Sequence, residues 1–376
     1  MDFTPTEEQR AASGLAAEIF ADLSTPERLA GLGTGPDTVL WKALCAAGLP
    51  GAVEDTGLLG LVLLLEEQGR ATAQVPFAAT CVHGLWAVAA HGTPAQHERL
   101  LPALRDGTLT AAGAFTGGGA PAVRAERCAP GAPGTDLAPV RLTGAVPVVP
   151  WLCGAGLLLV PDAGRRLWLV RGDAPGVGIE PVATTAPWSA GRLTLDGAPA
   201  ERLGPDGAPG TGPYDDVLAA ARTAFAGLQA GVCAGAVARA VEHTSTREQF
   251  GRPLSTNQGV QLRAADAHMD TEAIRVTAYE AAWRRDAGLD AAASALTAAW
   301  WASDAGTRVV HAVQHLHGGI GADVDHPVHR HFLWGRQLGA HLGAGAQLLE
   351  ELGRLLTDED VKGEGEVDED MEGEAV

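Results

Sequence analysis

Arg247-Glu248-Gln249-Phe250-Gly251-Arg252-Pro253-Leu254, with Gln258 close behind, closes a long stretch of helical periodicity that runs from Asp215 to Gln249. An Arg at the end of a helix, followed by a Gly turn, offers a fixed guanidinium and free backbone N–H groups, the donors that a pyrophosphate needs. The same pattern also serves as a plain helix stop with a surface Arg. A second stretch, Gln314-His315-Leu316-His317-Gly318-Gly319-Ile320-Gly321, followed by His326-Pro327, ends another long periodic segment. Paired glycines after a helix let backbone approach a flat adenine or a phosphate where a Cβ would clash, although a helix C-cap needs only one of them.

Outward from these motifs, residues 213–356 carry four long amphipathic patterns, Asp215 to Gln249, Gln258 to Ala287, Ala291 to Leu316 and His329 to Leu356, which together predict a four-helix bundle over 204–356. Ahead of them Gly204 to Gly212 reads as a Gly and Pro linker. Residues 113–203 lose helical periodicity and show short β-rich runs at Val140 to Leu142, Leu157 to Val160, Leu167 to Val170 and Arg192 to Leu195, divided by Gly, Pro and Asp. With no helices between the runs, an antiparallel barrel or sandwich fits better than a parallel sheet. Residues 1–112 alternate helical patterns (Thr6 to Phe20, Thr38 to Ala47, Leu58 to Gly69, Gln96 to Arg105) with breaks, and Thr25-Pro26 and Thr93-Pro94 read as helix starts. The expected fold is therefore α+β and multidomain: an N-terminal helical domain, a middle β domain, a C-terminal four-helix bundle and an acidic tail, 357–376, with almost nothing apolar to bury and expected to be disordered.

The formal charge of −19 argues against a nucleic-acid partner, which would demand a surplus of Lys and Arg. Ten Asp or Glu and one Lys in the tail supply about −9 of that charge, leaving the body mildly acidic. Cys45, Cys81, Cys128, Cys153 and Cys233 form no CxxC pair and read as structural thiols of a reducing cytoplasm. The start, Met1-Asp2-Phe3-Thr4-Pro5, lacks the basic and apolar character of a signal peptide, and the longest apolar run, Leu58 to Leu65, falls far short of the ~20 residues that span a bilayer. Six histidines from His311 to His331 raise the question of a metal, but no third ligand or carboxylate stands at a convincing spacing, so none is expected. Gly33-Thr34-Gly35 lacks the strand and third glycine of a dinucleotide fingerprint.

Together the two motifs resemble the acyl-CoA dehydrogenase family, as do Met1-Asp2-Phe3 leading into Glu7-Glu8-Gln9-Arg10, and Leu65-Glu66-Glu67-Gln68-Gly69-Arg70 before Val75-Pro76. The resemblance covers residues 1 to about 356. It implies FAD as cofactor, with Arg247, Gln249, Phe250 and Gln258 contacting the FAD of a neighbouring subunit and Gln314, His315, Gly318 and Gly319 at its adenosine end. Where the family usually has Gln, this chain has His315, with Gln314 one place earlier.

The resemblance also implies a Glu that takes the α-proton of an acyl thioester while the β-hydrogen leaves to the flavin. Its two family positions fall here on Leu342 and on Ala221, directly before Arg222, so no catalytic residue is assigned. A positioned general base contributes roughly 10²–10⁴ in rate. Gly113 to Gly119 stands where the family carries a Thr-Glu-Pro type flavin loop, of which only Thr116 survives, and Pro150 stands where a hydroxyl near the flavin is expected. The features that serve a neighbour's FAD thus persist, while those of the chain's own pocket are lost. The pattern is similar to the non-catalytic subunit of actinobacterial α₂β₂ acyl-CoA dehydrogenases of the steroid side-chain type, with acyl-CoA bound at the partner's site. Two alternatives stay open: a self-sufficient flavoenzyme whose base is Asp215, Asp216 or Glu242, and a flavin-free scaffold of the same shape.

Overall fold

Short-range capping chemistry sets the N-terminal helices of the computed structural model, which describes residues 2–115, 117, 122–127, 140–205 and 212–357. Helix α1 (Glu7–Leu23) begins in a capping box, with Thr6 Oγ1 accepting from Gln9 N–H and Gln9 Oε1 accepting from Thr6 N–H. Thr25 and Pro26 open α2 (Pro26–Ala30) as expected, and Asp37 caps α3 (Thr38–Ala46) while holding Arg28 at 2.6 and 2.7 Å. Helix α4 (Leu49–Arg70) breaks at Gly57, where φ is 72°. The N–H groups of Leu58 and Leu59, orphaned by that break, donate to the carboxylate of Asp286 at 2.8 and 2.9 Å. A Cβ on residue 57 would stand 2.7 Å from that carboxylate, so only glycine fits. Next come α5 (Phe77–Ala79), a π-helical turn over Thr80–Trp86, and α6 (Ala87–His91), then α7 (Pro94–Arg105) under a second capping box, Thr93 with Gln96.

Strands β1 (Ala111–Gly113), β2 (Arg124–Arg127), β3 (Val140–Val149), β4 (Leu157–Pro161), β5 (Leu167–Arg171), β6 (Val177–Pro181) and β7 (Gly191–Leu203) form a seven-stranded sheet in the order β1-β4-β5-β7-β3-β2, with β6 also on β7. β7 is the spine: Gly191 to Leu195 pairs with both β3 and β6, and Glu201 to Leu203 pairs with β5. Leu142, Val146, Leu158, Val160, Trp168, Leu193 and Leu195 form the core of this unit. One pairing departs from the antiparallel expectation: β1 enters beside β4 in parallel, because β2 and β3 cross between them in sequence.

Helix α8 (Pro213–Thr246), the short hairpin of β8 (Glu248–Gln249) and β9 (Arg252–Pro253), α9 (Gln258–Asp286), α10 (Ala292–His317) and α11 (Val328–Leu338) follow, then a last helix, α12, over 345–357. Buried side chains of α1, α3, α4 and the π-helical turn share one continuous core with those of α8, α9 and α10. By length and composition α8 is apolar enough to cross a membrane, which corrects the expectation that no segment is. Packing explains it: 72% of the most apolar stretch of α8 is buried within the fold. The single helix expected over His329 to Leu356 is two, α11 and α12. Gly339, which caps α11, and Gly343 at φ 127° unwind the chain between them, and Ser303 Oγ donates to Gly339 O at 2.6 Å to hold the turn. The acidic tail beyond residue 357 falls outside the described residues, as does Cys128.

Candidate functional site

The end of α8 makes an exposed corner. Arg247 is the C-cap residue, its N–H donating to His243 O, and the chain then turns through the β8–β9 hairpin with Gln249 paired to Arg252. Phe250 and Gly251 at the hairpin tip have φ of 53° and 75°, the left-handed pair that a tight hairpin turn demands. A Phe pays about 1–2 kcal/mol to sit there, and this one is 100% exposed. Arg247, Gln249 and Gln258 are exposed as well, and the Arg247 guanidinium has no hydrogen-bond or ion-pair partner among the described residues.

The end of α10 lies beside this corner. His317 donates from Nδ1 to Val313 O at 2.9 Å and stacks on His243 with ring centroids 4.7 Å apart. Because His243 is one turn before Arg247 and His317 precedes Gly318, the stack brings the two motifs together. Burial lowers the pKa of both imidazoles, so both stay neutral in a stack that two charges would split. Gly318 is the C-cap at φ 65°, which accounts for one glycine. A Cβ at Gly319 would meet no other atom within 4 Å, so nothing inside the chain requires the second. His315 is exposed, and the half-buried Gln314 has an Oε1 without a donor among the described residues. Thr116 lies outside the described residues. Among the described residues no group of three or more His, Cys, Asp or Glu is arranged to hold a metal ion.

The two positions implied for a base lie elsewhere. Leu342, in the turn between α11 and α12, is 6% exposed, and Ala221 on α8 is fully buried. The next residue, Arg222, reaches across with Nε 3.4 Å from Leu342 O. Between them remains a cavity of about 20 Å³, lined by Arg222, Phe225, Leu338, His341 and Leu342 among others, with no room for an acyl chain. Glu351 on α12, which the sequence reading did not single out, is the nearest carboxylate to Arg222, at 2.7 and 2.9 Å. Burial alone would raise its pKa, but the Arg222 hydrogen bonds and charge outweigh burial and hold it below the usual carboxylate range, the wrong direction for a base. Of the other candidates, Asp215 pairs with Arg165 at 2.6 Å, Asp216 is held by Arg285 and His91, and Glu242 is exposed on α8.

Next to this cavity stands a dry aromatic block. His83, on the π-helical turn, stacks on Phe115 at 5.3 Å, Phe115 stacks on Tyr214, and Phe225 meets His341 edge-on at 4.4 Å. Neither ring nitrogen of His83 has a partner among the described residues. Burial pushes the pKa of His83 down to about 3 and that of His341 to about 4, so both are neutral. Pro150 is buried and has no N–H to give, and the N–H of Trp151 is spent on Trp188 O at 2.9 Å. Nothing in the sequence flagged His83; its neighbours are apolar without periodicity.

A family model described as acyl-CoA dehydrogenase, C-terminal domain, matches residues 213–355. The chain belongs to the acyl-CoA dehydrogenase family: Acyl-CoA dehydrogenase FadE27 of Mycobacterium tuberculosis is 33% identical to it over 95% of this chain and 99% of that protein. Among solved structures it is similar to a variant of the Tcur3481-Tcur3483 steroid ACAD, at 40% identity and TM-score 0.86 over 94% of this chain and 99% of the other. It is also similar to the ChsE4-ChsE5 complex from Mycobacterium tuberculosis, at 33% identity and TM-score 0.85 over 95% and 99%. Butyryl-CoA dehydrogenase from Megasphaera elsdenii, 23% identical with TM-score 0.82, shares the fold. FAD is the cofactor that goes with this family.

Proposed function

We propose that this chain is the non-catalytic subunit of a heteromeric FAD-dependent acyl-CoA dehydrogenase, two copies with two of a Glu-bearing partner, in the cytoplasm. At the partner's site a bulky acyl-CoA, a steroid side-chain thioester, is desaturated between its α and β carbons. FAD supplies the hydride acceptor for that chemistry. Arg247 would meet its pyrophosphate, Gly318 and Gly319 would lie against its adenosine end, and Gln249, Phe250, Gln258, Gln314, His315 and Thr116 would complete the contact.

One observation carries the reading: the base positions close on a cavity of about 20 Å³ with an aliphatic Leu342 and an arginine-bound Glu351, while the Arg247 guanidinium is exposed and has no partner among the described residues. The chemistry of this donor set fits the phosphate and adenosine end of FAD. For the flavin ring, the described residues Pro150 and Trp151 supply no backbone N–H, one lacking it and the other bonded to Trp188 O. The steroid substrate and the partner rest on what the similar structures are named for.

Co-expression with a Glu-bearing family member tests the proposal. The lone chain should hold little FAD and turn over no acyl-CoA, and the complex should do both. Arg247→Ala should reduce FAD retained by the complex by about tenfold or more. Turnover by the lone chain, or full flavin content with Arg247→Ala, would remove the reading.

A further inference from the structure

A cleft of about 400 Å³ opens where the α2–α3 loop, the β6–β7 loop, α8 and α11 meet. Neither Arg247 nor any residue of the glycine motif lines it. Two guanidiniums do, Arg239 and Arg330, with Thr34, Thr72, Thr184 and Thr185 around them. Arg330 is only 9% exposed, yet its partners are all neutral: Nη2 donates to Gln74 Oε1 at 2.9 Å and to Thr72 O at 3.4 Å, and Nε to Thr72 Oγ1 at 3.5 Å. Arg239 is half-buried and forms no hydrogen bond or ion pair among the described residues. Burial lowers the pKa of both, Arg330 to about 10, and for Arg239 the charge of Glu242 opposes this without reaching it as an ion pair. Asp325 stands exposed at the rim, and His331 behind the arginines is kept neutral, its pKa near 3, by burial.

Two cations withdrawn from water without a carboxylate between them are costly, and folds retain such groups where an anion arrives to meet them. Among the described residues the whole fork of Arg239 and the Nη1 of Arg330 are free, Thr34 has no hydrogen-bond partner, and the Thr72 hydroxyl only accepts. Donors on several sides suit a tetrahedral dianion better than a planar carboxylate. The remaining walls, including Leu29, Pro187, Val324 and Leu333, are apolar, and the volume far exceeds one phosphate. We propose that this cleft binds a small phosphomonoester of sugar-phosphate or nucleoside-phosphate size, its phosphate between Arg239 and Arg330 and its carbon body along the apolar wall. The cleft neighbours the FAD corner, since Arg239 lies two helical turns before Arg247 on α8 and its charge reaches His317, but neither Arg247 nor Gly318 to Gly321 lines it; its test in the FAD-loaded complex rests on the proposed function.

Calorimetric titration of the FAD-loaded complex with ribose 5-phosphate, which carries no adenine to enter the FAD site, tests this at matched chloride. Saturable binding at one site per chain is expected, tighter than for inorganic phosphate, which should compete. Arg239→Gln should weaken it by about tenfold or more, Arg239→Lys by less, and Thr34→Val, a milder change, by a few-fold, all with FAD content unchanged. Absence of saturable heat, equal affinity for bare phosphate, or wild-type binding by both Arg239→Gln and Thr34→Val would overturn the proposal. Loss of FAD with Arg239→Gln would overturn it too, by making the cleft part of the FAD site.

Discussion

On the proposed function, Leu342 is the residue whose identity most constrains what the chain can do, because the resemblance implies the family's carboxylate at its place. Restoring that carboxylate should not restore chemistry. In Leu342→Glu the new side chain would enter a cavity of about 20 Å³ between Phe225, His341 and Leu338, with Arg222 already committed to Glu351. The expected result is a loss of about 2–4 kcal/mol in urea unfolding, from burying a polar group and overpacking the site, with no turnover gained; activity in the lone variant would show that the pocket is intact. Phe250 poses the opposite case. It is strained and fully exposed, so nothing within the described chain rewards it. Phe250→Gly should leave the lone chain as stable as before or up to about 1 kcal/mol more so, since relief at positive φ offsets the entropy of glycine. The same variant should lower FAD retention in the complex, and equal retention would mean that the aromatic ring serves something else.

Among the elements, the break in α4 shows how one distant side chain can stand in for a turn of helix. Asp286, at the far end of α9, caps the second half of α4 through Leu58 and Leu59, and burial raises its pKa against those two hydrogen bonds. Asp286→Ala should cost about 1–3 kcal/mol, the range for leaving buried N–H groups unpaired, and hydrogen exchange should rise first at Leu58 and Leu59; unchanged protection there would show that α4 is held by packing alone. Periodicity made α1, α3, α7, α9 and α10 legible, and Thr25-Pro26 and Thr93-Pro94 marked true starts because their hydroxyls cap locally. It could not reveal Phe77–His91, where nearly every face is buried and no polar stripe remains to set a phase. It also ran α11 into α12, since apolar spacing continues across a turn that Gly339 and Gly343 unwind. At the site, the open corner was legible because Arg and Gly carry their chemistry in their identity. Glu351 was not, for its meaning lies in a contact 129 residues away.

For the whole molecule, the interior holds three imidazoles in places that tolerate no charge, and this sets a limit on the acid side. Burial lowers the pKa of His83 and His331 to about 3 and that of His341 to about 4. Unfolded, each would take a proton near its ordinary value of about 6.5. A base whose folded pKa is depressed stabilises the fold fully above the unfolded value, and that contribution is lost as pH falls from about 6.5 towards the folded value. Each loses about 1.4 kcal/mol per pH unit, so by pH 5 the three together forgo about 6 kcal/mol, a large share of the ~5–15 kcal/mol that holds a typical domain. The salt-bridged carboxylates Asp216 and Glu351, whose pKa values are lowered, keep their contributions until the solution is more acidic. Urea midpoints should therefore fall steeply between pH 6.5 and 5, before the salt-bridged Asp216 and Glu351 titrate. Replacing His83 by Phe isolates one third of the effect, because its ring lies between Phe115 and Phe225 and neither nitrogen meets hydrogen-bond geometry with a described residue, the nearby Ala79 backbone only weakly opposing burial. His83→Phe should be no less stable at pH 7 and should flatten the slope by about a third; a midpoint independent of pH across that interval in the parent protein would show that these imidazoles are hydrated or paired.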